Sequence, residues 1–121
     1  FLNHSVFSVY ENEKTRPGLI ACGYMGSEPK SQVMKACVEE LSKKETVSEK
    51  KTGKMAWKTT GPQFFTDVIN KSFSNDPDVF IYPSYVFIPN HYSGESYEGD
   101  EKSYSDHFWG STEGSGFDYE I

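Results

Sequence analysis

The side chains best able to do chemistry in this chain stand in a few short segments. These are Glu11 after an apolar stretch, Gly61-Pro62-Gln63 with Asp67 one turn on, His91-Tyr92, and His107 with Trp109 and Ser111. Gly61 and Pro62 open a helix-like stretch. Free N–H groups and the positive end of the dipole at a helix start favour an anion or a polar hydroxyl, and glycine lets the backbone approach a ligand closely. The same residues also read as a plain helix start, with Thr60 and Gln63 at capping-box spacing and Pro62 in the first turn. Asp67 could hold a hydroxyl or merely favour the positive helix end. Glu11 ends a strand before a loop, a frequent place for an active-site group in α/β folds, although a lone Glu is often just solvated. His91 and Tyr92 follow a segment stopped by Pro89 and could line a groove. A lone His at 107 is ordinarily a surface or satisfied residue. Trp109 could close a site or anchor the tail, and Ser111 could donate a hydrogen bond or face water.

The elements that must position these groups follow from periodicity and breakers. Ser5 to Tyr10 is rich in strand formers and reads as a strand ending at Glu11. A polar loop from Glu11 to Gly18 closes on the Pro17-Gly18 turn signal. Leu19 to Met25 is a short apolar run that fits a buried strand. Met34, Cys37, Val38 and Leu41 share a face at i, i+3, i+4 and i+7, so a helix follows, with Ser31 as its N-cap. Ser42 to Lys54 reads as a solvated helix end and loop. Phe64, Phe65, Val68 and Ile69 give the second helix its apolar face. Asn75 to Asp78 is a turn, Val79 to Tyr82 a strand stopped by Pro83, and Tyr85 to Ile88 a further short strand. From Asn90 onward Gly, Ser, Tyr and acidic residues predict loops rather than a packed core.

Short strands mixed with two amphipathic helices indicate an α/β or α+β build. The elements are too sparse for a complete doubly wound sheet, so the chain reads as a piece of a larger α/β domain or as a small irregular one. Its 121 residues begin at Phe1 and carry a net charge of −6. That balance disfavours non-specific binding to nucleic acid or an anionic membrane. No apolar run nears the ~20 residues needed to span a bilayer, and the first ten residues contain no signal peptide. Cys22 and Cys37 form neither a metal spacing nor a disulfide framework and read as small buried residues, with a bridge between them possible.

Four segments together resemble the family 32 glycosyltransferases, the sugar-transfer domains named for an Asp-x-Asp motif. Thr60-Gly61-Pro62-Gln63-Phe64-Phe65-Thr66 is similar to the family's T-G-P-x-x-L-T element. Ile81 to Pro89 resembles its strand–Pro–strand segment. Tyr104-Ser105-Asp106-His107-Phe108-Trp109-Gly110-Ser111 resembles its closing Y-A-x-H-x-W-x-x-S-W motif, and Phe7-Ser8-Val9-Tyr10-Glu11 its F-x-G-Y-E segment. The chain departs at Thr112, where the family has Trp, and at Cys22, where it often has Asn.

The resemblance implies a GT-A type (Rossmann-like) fold, of which residues 1–121 would be the C-terminal portion of one catalytic domain, with residues 90–121 a loop-rich tail. It implies a nucleotide-diphosphate sugar donor, a glycan, lipid or protein acceptor, retention of anomeric configuration, and Mn2+ or Mg2+. His107 is then the candidate metal ligand or diphosphate contact. Gly61, Pro62, Gln63, His91, Tyr92, Trp109 and Ser111 are candidates for donor or acceptor binding, and Glu11 and Asp67 for catalysis. The Asp-x-Asp segment is expected upstream of Phe7; Asp76-Pro77-Asp78 has the letters but falls between a helix and a strand, the wrong place. The isolated chain is expected to be inactive. Cytoplasmic and Golgi settings both fit. A non-catalytic carbohydrate- or partner-binding module is the competing expectation.

Overall fold

The computed structural model of the chain describes residues 3–44 and 53–109. Its fold is mixed α/β. Three strands, β1 (Val6–Asn12), β2 (Arg16–Ser27) and β3 (Val79–Tyr82), form one sheet in the order β2-β1-β3. β1 pairs antiparallel with β2 and parallel with β3. Helices α1 (Gln32–Ser42), α2 (Ala56–Thr59) and α3 (Pro62–Ser72) come between β2 and β3. No helix among the described residues is long and apolar enough to cross a membrane.

β1 is the central strand and is covered on both sides. Val6 and Tyr10 point to the helices, where Val6, Ile20, Val33, Phe65 and Ile69 form a core with Met34, Cys37 and Phe73 against it. Val9 points the other way and packs with Ala21 and Ile88, bordered by Tyr24, Tyr82, Phe87 and Trp109. The chain beyond Pro83 therefore supplies a third layer. That corrects the expectation of unpacked loops after Asn90. The tail has little regular structure, yet Tyr104 N donates to Val86 O at 2.7 Å, and Ser103 and Ser105 hydroxyls donate to Tyr85 O and Phe87 O.

β2 runs from Arg16 to Ser27, longer than the apolar run from Leu19 to Met25 suggested, because it is irregular in two places. Asn12 pairs with Arg16 and Tyr10 with Ile20, so extra residues of β2 bulge out at Pro17-Gly18, with Gly18 at φ +77°. Those residues read as the end of a loop and are instead a bulge within the strand. Farther on, Val9 pairs with Ala21 but Phe7 with Gly26, which pushes Cys22 to Met25 outward. The buried Ser8 hydroxyl fills this second irregularity, donating to Ala21 O at 2.8 Å with Tyr24 O 3.1 Å away. Gly26 is required there, since a Cβ would meet the Phe7 ring at 2.2 Å.

The helices fold for the reasons read in the sequence, with three exceptions. Ser31 caps α1 by accepting from Val33 N. Val38 lies outside the buried face and is exposed; Val33 takes its place. The capping box of α3 does not form. Gly61 is its N-cap, Pro62 occupies the first position, and the Thr60 hydroxyl turns back to Ala56 O, because short α2 immediately precedes it. The strand expected at Tyr85 to Ile88 is a 3-10 turn, Ser84–Val86. Pro83 breaks the ladder, and the Glu13 carboxylate captures both Ser84 N (2.8 Å) and Ser84 Oγ (2.5 Å), which starts the turn. Cys22 and Cys37 are both free, and Cys22 is exposed rather than buried.

β2 is an edge strand, and its Ile20 N–H donates away from β1 to the buried Thr66 hydroxyl of α3 at 2.8 Å. Thr66→Val keeps shape but strands a buried donor. We expect it to lower stability by about 1–3 kcal/mol, read as a shift of the urea unfolding midpoint at constant slope. An unchanged midpoint would mean that the donor finds water instead.

Candidate functional site

Glu11 follows Phe7 and Val9 on the tail-facing side of β1. His91 comes from 80 residues later, in the turn after Pro89. The two meet, with His91 Nε2 and Glu11 Oε2 3.3 Å apart. The His91 ring is almost wholly buried and the Glu11 side chain is 13% exposed. Ser93 N donates to His91 Nδ1 at 3.2 Å, with Ser93 Oγ 2.7 Å away. A backbone N–H can only donate. Nδ1 therefore presents its lone pair, and the network assigns the ring proton to Nε2, directed at Glu11. His91 orients the carboxylate through a charge-assisted hydrogen bond.

Aromatic rings surround this pair. Tyr92 and Trp109 stand 4.3 and 4.9 Å from the His91 ring, and 5.1 Å from each other. Trp109 Nε1 donates to Asn90 O at 2.9 Å, and its ring lies 4.5 Å from that of His107. Trp109 adopts φ 55°, an uncommon state for a bulky residue. These contacts hold it there. Such held strain is often found at functional sites.

Arg16, the chain's single arginine, extends the cluster. Its Nη2 donates to Tyr92 Oη at 3.1 Å, its Nε lies 3.9 Å from Glu11 Oε2, and its guanidinium sits 5.1 Å from the centre of the Trp57 ring. The Tyr92 hydrogen bond, and to a lesser degree the Glu11 charge, push the guanidinium's pKa above its usual value against the effect of burial. Gly61 lies on the far side of Trp57. A Cβ at Gly61 would come 2.7 Å from Trp57 Cα, so glycine permits the close packing of α2 on α3.

The expected site residues therefore separate. Glu11, His91, Tyr92, Trp109 and His107 come together. Gly61 and Pro62 reach that group only through the row Trp57–Arg16–Tyr92, not by direct contact. Gln63 Nε2 donates to Asp67 Oδ1 at 2.9 Å on the exposed face of α3, an i,i+4 pair that leaves both away from the cluster. Ser111 lies outside the described residues. A cavity of about 290 Å3 opens beside the β1–β2 turn, lined by Asn12, Glu13, Lys14, Ser84, Glu95 and Tyr97 among others, and by none of the expected site residues. Arg16 and Trp57 were not read as functional. The available signal was rarity, one arginine and two tryptophans.

No three His, Cys, Asp or Glu side chains among the described residues are grouped to hold a metal ion. Trp109 N donates to His107 Nδ1 at 3.0 Å, so the free Nε2 carries the proton. In this arrangement His107 offers a hydrogen-bond donor and not the lone pair a metal needs.

Compared with known proteins, the chain matches no family model, no curated protein and no solved structure.

His91→Phe keeps the ring's volume and removes both nitrogens. The Ser93 amide then loses its acceptor, and we expect its hydrogen exchange to quicken at least ~10-fold, about 1.4 kcal/mol or more of lost protection. Amide exchange by NMR checks this; unchanged exchange at Ser93 would remove the basis for the assigned tautomer.

Proposed function

We propose that this chain is the C-terminal part of a GT-A type glycosyltransferase catalytic domain that uses a nucleotide-diphosphate sugar. The cluster of Glu11, His91, Tyr92, Trp109 and His107 is its sugar-handling face. The observation that carries the reading is convergence. Two segments of the family resemblance, carrying Glu11 and His107 with Trp109 and up to 98 residues apart, meet the His91-Tyr92 pair that follows a third: Glu11 comes within 3.3 Å of His91, and Trp109 within 4.5–5.1 Å of His91, Tyr92 and His107. A mixed sheet with helices on one face is compatible with that fold.

In this reading each side chain has a task its geometry allows. Glu11, held by His91, accepts a hydrogen bond from a sugar hydroxyl. Trp109 and Tyr92 offer apolar rings to the face of a sugar or a base. Transfer forms a bond from the acceptor hydroxyl oxygen to the anomeric carbon and breaks the bond to the diphosphate; charge grows on the leaving oxygen, which takes up the hydroxyl's proton. His107 Nε2–H can donate to that oxygen, the kind of fixed dipole that stabilises developing charge. The Mn2+ or Mg2+ implied by the resemblance neutralises diphosphate charge when bound; in this proposal it is carried by the Asp-x-Asp segment expected upstream.

Both tryptophans of the chain, Trp57 and Trp109, lie on the cluster, so intrinsic fluorescence reports on it. We expect a saturable change on titration with UDP, GDP or their sugars, weakened at least ~10-fold, about 1.4 kcal/mol, by His107→Ala. The half-exposed rings of Tyr92 and Trp109 would also suit a non-catalytic carbohydrate-binding module. Saturation by free oligosaccharides with no response to any nucleotide would select that alternative. No response to either class sinks both.

A further inference from the structure

We propose that Arg16 and Lys58, held on the Trp57 ring, form an anion-binding pair for a diphosphate group. For the identity of the anion this rests on the reading above; the site itself rests on the following geometry.

Arg16 opens β2 opposite Asn12, in a turn fixed by Asn12 Oδ1, which accepts from Lys14 N and Thr15 N at 3.0 Å each. The backbone carrying the guanidinium is thus fixed. Its Cζ lies over the Trp57 ring, 5.1 Å from the centre, and Tyr92 Oη takes one N–H. Glu11 forms an ion pair with Arg16 at 3.9 Å, too long for a hydrogen bond, and Glu11 Oε2 is also engaged by His91 at 3.3 Å. Most of the five guanidinium donors therefore lack an acceptor among the described residues, while the side chain is 39% exposed. A guanidinium on a fixed stretch of backbone, with open N–H groups, suits bidentate recognition of an oxyanion.

Lys58 supplies the second charge. Its ammonium is 5.2 Å from the centre of the same Trp57 ring. The two cations are therefore no more than about 10 Å apart, roughly one Debye length at about 0.1 M salt, so one multivalent anion feels both. Among the described residues no carboxylate is within ion-pair distance of Lys58. Arg16, Lys58 and Glu11 together leave a local charge of +1 in a chain of −6. The patch is thus net positive in a chain that is net negative. A ligand with two linked oxyanion groups gains from both cations; a single sugar carboxylate gains mainly from Arg16.

The test is tryptophan fluorescence of the full chain titrated with inorganic pyrophosphate, and separately with glucuronate, at low and high salt. Pyrophosphate should saturate, weaken at least ~10-fold with Arg16→Gln and about threefold or more with exposed Lys58→Gln, and weaken as salt rises. Arg16→Lys should retain part of the binding. Circular dichroism and the melting temperature identify any variant that has lost its fold, and Lys58→Gln, on the surface, keeps the test open if Arg16→Gln unfolds. Pyrophosphate binding equal in both variants and wild type overturns the proposal, as does no binding at all. Glucuronate binding through Arg16 without pyrophosphate binding overturns the diphosphate assignment. If pyrophosphate binding depends on both residues but no nucleotide sugar responds, the anion pair stands and the glycosyltransferase reading falls. If nucleotide sugars bind equally well to Arg16→Gln, that reading stands and the pair falls.

Discussion

Coverage of β1 on both faces is the constraint on which the other elements depend. Val6 and Val9 are completely buried on opposite sides of one strand, and Ser8 between them is buried as well. A three-stranded sheet alone could not bury both faces. The helices take one, and the segment after Pro83 takes the other. Apolar burial drives both contacts, at roughly 1.5–3 kcal/mol for each fully buried Val or Ile side chain. The tail can lack regular structure and still be fixed, because its backbone and hydroxyl groups bond to the exposed carbonyls of Tyr85, Val86 and Phe87.

Burying an irregular strand leaves polar backbone groups to satisfy. β2 twice carries more residues than its partner. Beside one irregularity Thr66 of α3 accepts the Ile20 N–H; at the other the Ser8 hydroxyl donates to Ala21 O, with Tyr24 O 3.1 Å away. These two hydroxyls let β2 keep bulges inside a packed domain. The second bulge sends Tyr24 outward, where it stacks on Phe87 at 5.3 Å and its hydroxyl donates to Asp106 O. Asp106 adjoins His107. A deviation in the sheet thus reaches the tail that carries the candidate site.

The site itself is a row, not a deep pocket. Trp57, Arg16, Tyr92, Trp109 and His107 succeed one another, with Glu11 and His91 beneath. Protonation in the row is set by neighbours that can act in only one way. Ser93 N and Trp109 N are donors, so both His91 and His107 keep their protons on Nε2. One aims at a carboxylate and the other is free for an external acceptor.

The sequence by itself determined the local elements. Periodicity placed the buried faces of both long helices apart from Val38, Ser31 marked the start of α1, and strand formers marked β1 and β3. It also singled out Glu11 at a strand end and His91-Tyr92 after Pro89, while a motif resemblance pointed to His107 and Trp109. Only tertiary structure decided which of them meet. The Glu11–His91 contact spans 80 residues, and no local period encodes a pairing at that distance. The turn at Ser84 was equally hidden: Val86 and Ile88 favour a strand by composition, but a carboxylate from Glu13, 71 residues away, captures the turn's first N–H. Arg16 and Trp57 escaped notice for the same reason. Their significance lies in a contact between a bulged strand and a four-residue helix, and that contact exists only once the core beneath them has packed.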